Sequence, residues 1–177
     1  MIEPRHGIPC GGFTFAHLSP GGQPMSIPVN SPAFSAEQMI PRHFTGDGMD
    51  VSPPLQWGDP PAGTKSFAVV CDDPDAPRGD WVHWLLYDLP PITRELPEAL
   101  PADPDLDDGS HHGVNDFGYV GYGGPAPPRG QSHRYRFQVY ALDSELGLPS
   151  GATKKEVLDA MRGHVLEEGQ LVGLYGR

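Results

Sequence analysis

Glycine or proline stands at about every fourth position of this chain, 23 glycines and 22 prolines in 177 residues. Proline removes a helical hydrogen bond, and glycine adds backbone freedom that a helix must give up, so long helices are excluded. No three-residue period orders the glycines, which excludes a collagen-like rod. What remains is a set of short strands joined by structured turns. An apolar fraction of 37% and an aromatic fraction of 9% suffice for a core, and the length suits one domain. The chain therefore reads as mainly β, with residues 1–24 as an extended Gly/Pro-rich arm and residues 25–177 as a single domain.

Charge narrows the partners. Twelve Lys and Arg stand against 23 Asp and Glu, a formal net charge of −11. Such a surface repels phosphate backbones and anionic membranes, so nucleic acid is not expected as a partner. Any anion the protein binds must be held by local donors against that field. The two cysteines, Cys10 and Cys71, form no CxxC pair, and Cys71 ends the apolar run 67–71, where it reads as a small buried thiol. No basic segment followed by an apolar run opens the sequence, and no apolar run is long enough to span a bilayer. A cytoplasmic protein, not an integral membrane one, is expected.

Along the chain, residues 26–29 and 33–34 read as short strands and 44–48 as a turn. Pro53 and Pro54 make 51–57 an edge or bulged strand, never a central one. Residues 64–71 form a strand. Residues 81–89 form another, apolar on both faces and so central in its sheet. In 134–142, Tyr135, Phe137, Val139 and Ala141 face one way and Arg134, Arg136 and Gln138 the other. Between these last two strands, 91–132 is long and irregular, which marks functional or disordered chain. Its acidic front, 101–108, is expected to be exposed, and its aromatic-bearing back, 117–130, structured. Thr153-Lys154-Lys155-Glu156 matches a capping box. Val157, Leu158, Met161 and Val165 then make a core-facing helical stripe, and 171–175 is a closing strand.

Several chemistries are absent as motifs. There is no GxxxxGK[ST], HExxH or GxSxG. Asp73-Pro74-Asp75 begins like a calcium loop, but Pro77 and Trp84 occupy positions that need oxygen ligands. Two segments remain. In the first, Asp72-Asp73-Pro74-Asp75-Ala76-Pro77 turns into Trp81-Val82-His83-Trp84. His83, an imidazole inside an apolar strand, reads either as a core histidine with one hydrogen bond or as a donor on a pocket floor. In the second, the loop 123–130 has few side chains in the way and can bring backbone N–H groups to a ligand. His133 and Tyr135 follow it, two apart and so on one strand face. The plainer reading of that pair is a buried tyrosine beside a solvated histidine.

Together these segments resemble the phosphatidylethanolamine-binding protein family, most closely its bacterial YbhB/YbcL branch, often labelled Raf-kinase-inhibitor-like. The resemblance is carried by Asp73-Pro74-Asp75-Ala76-Pro77, Trp81-Val82-His83-Trp84, Gly124-Pro125-Ala126-Pro127-Pro128-Arg129-Gly130 and His133-Arg134-Tyr135-Arg136-Phe137. Ser52-Pro53-Pro54-Leu55-Gln56-Trp57 and the segment 171–177 also fit, and the likeness covers roughly 44–177. It implies a β-sandwich of antiparallel sheets with Greek-key connections and a few peripheral short helices. It also implies a pocket for phosphate, phosphoethanolamine-like head groups or carboxylates. Asp73, His83, His133 and Tyr135 would line that pocket, with Pro77, Trp81, Gly124, Ala126 and Pro128 as walls and rim. Ala126 stands where many members carry Gly. Val82 stands where animal members carry a second His, which removes one donor.

The expected function is binding of a small anion, with no cofactor or metal. A regulatory variant engages a phosphorylated partner such as a kinase, and a homodimer is among the implied assemblies. The mechanism expected has His83, His133 and the Tyr135 hydroxyl donating to an oxyanion. Asp73 then either orients an imidazole or shares a proton with the ligand, and affinity rises as pH falls toward about 6. The alternative is a hydrolase or metal-dependent enzyme using Asp73, His83 and His133. Against it, no Ser or Cys is paired with a base by motif, and the His/Asp spacing matches no standard metal site.

Overall fold

Strand β3 (Ser66–Asp73) is buried along its whole length because it lies between two long antiparallel neighbours. These are β4 (Trp81–Leu89) and β7 (Ser132–Leu142). The structure, a computed structural model, describes residues 26–177, so the arm expected over 1–24, with Cys10, lies outside the described residues. In chain order the remaining elements are β1 (Val29–Asn30), a 3-10 turn (Arg42–Phe44), β2 (Leu55–Trp57), β5 (Glu95–Leu96), β6 (His111–His112), α1 (Lys154–Met161) and β8 (Val165–Gly176).

Two antiparallel sheets result, one ordered β1-β2-β5 and one ordered β6-β4-β3-β7-β8. In the larger sheet β3, β4 and β6 are successive neighbours, and β7 returns to lie beside β3, which is a Greek key. The small sheet covers one face of the large one. Leu55, Trp57 and Leu96 from the small sheet bury against Phe67, Val69, Phe137 and Val139 in the main core. The helix covers part of the other face, where Val157 and Met161 pack with Ala68, Tyr87 and Leu142. Thr153 caps it as expected, accepting from the Glu156 N–H while Glu156 reaches back to the Thr153 N–H.

Several local expectations are corrected. Residues 33–34 are not a strand; Phe34 instead plugs the core beside Phe137, with ring centroids 5.8 Å apart. The segment at 51–57 contributes the middle strand of the small sheet, not an edge. The ladder starts at Leu55, after the two prolines, so neither has to donate to it. The helix ends at Met161, so Val165 belongs to β8, and Leu158 is 37% exposed. Strand β8 is longer than its apolar part, because β7 pairs it from Gly176 back to Val165. The irregular stretch does carry an exposed acidic front and a largely buried run at residues 121–125.

Candidate functional site

Antiparallel pairing brings the end of β3 and the starts of β4 and β7 to one rim of the large sheet. On β3 the residues Phe67, Val69 and Cys71 face the main core, and on β7 so do Tyr135, Phe137 and Val139. The two-residue period carries that face outward to Asp73 and His133. At the rim the apolar core gives way to a cavity of about 320 Å³.

His83 reaches this cavity through a fault in the ladder. Trp84 pairs Cys71 and Val82 pairs Asp72, which leaves His83 as an extra residue on β4. Such a bulge turns two successive side chains toward one face. Trp84 therefore enters the main core, His83 stands edge-on to Tyr135 with centroids 5.1 Å apart, and Val82 joins Val70 and Leu85 on the far face. The loop after β6 locks the bulge in place. Gly123 N–H donates to the His83 carbonyl at 2.9 Å, and His83 Nδ1–H donates to the Gly123 carbonyl at 2.5 Å.

The floor is polar and mostly satisfied. Asp73 Oδ2 accepts from His133 Nδ1 at 2.7 Å, and its Oδ1 accepts from the Asp75 N–H at 2.8 Å. Of the two roles open to Asp73, orienting an imidazole is the one this geometry shows. His133 Nε2 meets the Gln131 carboxamide at 3.0 Å. The Tyr135 hydroxyl is buried and has no partner among the described residues. Burial, helped by the Asp73 charge, pushes the Tyr135 phenol far up, so it stays protonated. Burial pushes the His83 imidazole down, outweighing the Gly123 carbonyl and the Asp73 and Asp50 charges. A neutral His83 that spends its one N–H on Gly123 turns a lone pair, not a donor, to the cavity from Nε2. The expectation that His83 donates to an oxyanion is corrected for the neutral ring.

The walls come mostly from loops, with Trp81 at the start of β4. Ala76, Pro77 and Arg78 stand on one side, Ala126, Pro127 and Pro128 on another, and Trp81 with Phe117 closes the third. Phe117 packs edge-on against both Trp81, at 5.5 Å, and His83, at 5.3 Å. Its place follows from Asp116, which exchanges hydrogen bonds with the Val82 backbone at 2.6 and 3.0 Å. Arg134, pointing away as expected, grips Asp75 through both carboxylate oxygens at 2.9 and 2.7 Å, which fixes the 74–78 loop. That pairing lowers the Asp75 carboxyl to about 2. Arg78 is exposed and has no carboxylate partner among the described residues.

Eight of the nine residues expected from sequence border the cavity: Asp73, Pro77, Trp81, His83, Ala126, Pro128, His133 and Tyr135. Gly124 does not. Its N–H donates to Asp50 Oδ1 at 2.6 Å, and it packs against Phe44 and Thr45 behind the wall. Phe117 and Arg78 were not singled out from sequence. Phe117 lies in the aromatic part of the irregular stretch, but no spacing ties it to His83. A second hollow, of about 740 Å³, lies near the other end of β4 and is bordered by Asp88, Asp105, Asp108 and Glu145. Its charge would repel anions. Among the described residues no group of three or more His, Cys, Asp or Glu side chains is arranged to hold a metal ion. Among the described residues no helix is long and apolar enough to cross a membrane.

Comparison with known proteins gives a consistent result. Residues 30–176 match the family model described as phosphatidylethanolamine-binding protein. A UPF0098 protein of Aquifex aeolicus is 50% identical over 165 residues, covering 92% of this chain and 95% of the relative. The UPF0098 protein YbhB of Escherichia coli is 43% identical over 132 residues, covering 73% of this chain and 84% of the relative. The crystal structure of E. coli YbcL, described as a member of the mammalian PEBP family, superposes with a TM-score of 0.79 at 30% identity. That match covers 86% of this chain and 99% of YbcL.

Proposed function

The chain belongs to the phosphatidylethanolamine-binding protein family, and from that premise we propose that its rim cavity binds the acidic head of a small molecule. Phosphate, a phosphorylated head group or a carboxylate would each serve. The observation that carries this reading is the Tyr135 hydroxyl, buried, protonated and unpartnered on the cavity floor. A buried polar group without a partner costs about 1–3 kcal/mol, so such a group in a cavity calls for a ligand atom. The rim agrees, because the guanidinium of Arg78 borders the cavity and has no carboxylate partner among the described residues. Pro77, Trp81, Phe117 and Pro128 supply apolar walls for whatever the head is attached to.

Binding fits this site better than covalent catalysis. Among the described residues no Ser, Thr or Cys lines the cavity, and the hydroxyl they place there belongs to a tyrosine held far from ionisation. In the regulatory form of the reading, the head is a phosphorylated side chain of a protein partner, a kinase among them.

Titration calorimetry with inorganic phosphate, phosphoethanolamine and acetate tests the proposal. Tyr135→Phe should weaken the best of them about tenfold, the worth of one hydrogen bond to a charged group. It should leave the melting temperature unchanged or raise it, because an orphaned hydroxyl is removed. Equal affinity in wild type and variant would sink the reading.

A further inference from the structure

Two polar ring atoms at the cavity floor, on Tyr135 and His83, are without a partner among the described residues, and they differ in kind. The Tyr135 hydroxyl is a donor seeking an acceptor. His83 Nε2 has no protein partner, and with the ring's N–H committed to Gly123 at 2.5 Å it is an acceptor seeking a donor. The two rings are packed edge to face with centroids 5.1 Å apart, so a single small head in the cavity can reach both atoms. The remaining floor groups are occupied, Asp73 by His133 and Asp75, and His133 by Asp73 and Gln131.

A fully ionised oxyanion satisfies Tyr135 but sets lone pair against lone pair at His83. We propose that the site selects an acid head that carries one O–H of its own, such as a phosphate monoester in its monoanionic form, with that O–H donated to His83 Nε2 and a P–O oxygen accepting from Tyr135. This rests on the anion-binding reading above and specifies its protonation state.

The charges around the site point the same way. The carboxylates whose charge reaches His83 are Asp73 on the same face, Asp50 from the loop before β2, and Asp72 on the opposite face of β3. Asp73 is bound to His133, Asp72 to Arg136 and Lys154, and Asp50 to the Gly124 N–H. The other titratable rings around the cavity are His133 and Tyr135, and Arg78 is the Arg or Lys of the lining, with no carboxylate partner among the described residues. One unpaired positive charge at the mouth suits a head with one negative charge better than a dianion. Burial of the imidazole opposes the other solution, in which His83 itself takes the proton.

Phenyl phosphate and phenyl sulfate separate these cases on the wild-type protein, since their shapes match and their rings fit the Trp81 and Phe117 wall. Phosphate monoesters release their second proton near about pH 6, whereas the sulfate ester is a monoanion with no O–H. Calorimetry from pH 5.5 to 8 should show phenyl phosphate binding weaken about tenfold per unit above that pKa. Phenyl sulfate should bind at least about tenfold more weakly than phenyl phosphate at pH 5.5. Equal binding of the two esters at pH 5.5 would overturn the inference, placing any required proton on the protein while leaving anion binding intact. A phenyl phosphate affinity that does not change with pH would overturn it equally. Failure of both esters to bind at any pH would remove the anion-binding reading, and this inference with it.

Discussion

Gly124 shows how a single hydrogen atom can position a wall it does not form. A Cβ on this residue would stand 2.6 Å from both Asp50 Oδ1 and the Phe44 carbonyl, and 2.8 Å from Thr45 Cα. Two of these three obstacles are backbone and cannot rotate away. Gly124→Ala should therefore destabilise the fold by about 1–3 kcal/mol, the range for overpacking a closed site. Urea denaturation reads this directly, and an unchanged midpoint would mean that the 44–50 segment yields easily. The residue-scale signals in the sequence were of unequal strength. His133 and Tyr135 were legible as a same-face pair because strand period is fixed at two. His83 was conspicuous as a polar group in an apolar strand, but its direction was not legible, because a bulge cannot be read from one strand without its partner's register. Its tautomer was still further out of reach, since that depends on a carbonyl 40 residues away.

At the scale of elements, Asp72 ties the helix to the sheet. It points away from the cavity that its neighbour Asp73 enters and is almost fully buried. There it accepts from Arg136 at 2.7 and 3.0 Å and from Lys154, in the first turn of α1, at 2.6 Å. Removing one member of a buried ionic group strands the others, typically at 3–5 kcal/mol. Here Arg136 and Lys154 keep some solvent contact and Asp80 lies 3.3 Å from Arg136, so Asp72→Ala should cost somewhat less, about 2–3 kcal/mol. Adding Lys154→Met should recover part of that loss, and a double-mutant cycle in chemical denaturation measures how much. No coupling between the two sites would show that the helix is held by Val157 and Met161 alone. The long elements were readable, with β4 falling at Trp81–Leu89 as its two apolar faces implied. The small sheet was not. Its strands are two or three residues long, shorter than any window in which periodicity can register. The polar half of β8, Glu167 to Gln170, is a strand because β7 lends it a partner, and nothing in its own residues says so.

For the whole molecule, stability against acid should fall in two stages with separable causes. His83 and His112 are buried, and both are shifted downward from 6.5 chiefly by that burial. The unfolded chain then binds protons that the folded one refuses, so stability is complete above about pH 6.5 and declines as pH falls below it. Asp75 acts lower on the scale. Its carboxyl sits at about 2 in the fold against 3.8 for a free aspartate, mainly through the hydrogen bond from Arg134. Its contribution is present above 3.8 and is lost as the pH falls toward 2. More than half of the Arg134 side chain is exposed, so after screening the pair is worth on the order of 1 kcal/mol. Protonation of the other carboxylates complicates any single curve, because it also relieves the repulsion of a chain with net charge −11. The difference between wild type and Asp75→Asn cancels that shared background. Urea unfolding at a series of pH values should show the variant weaker by about 1 kcal/mol at pH 7, with the gap narrowing steadily from about pH 4 downward. A gap that stays constant down to pH 3 would mean that Asp75 holds the 74–78 loop by its shape and not by its charge.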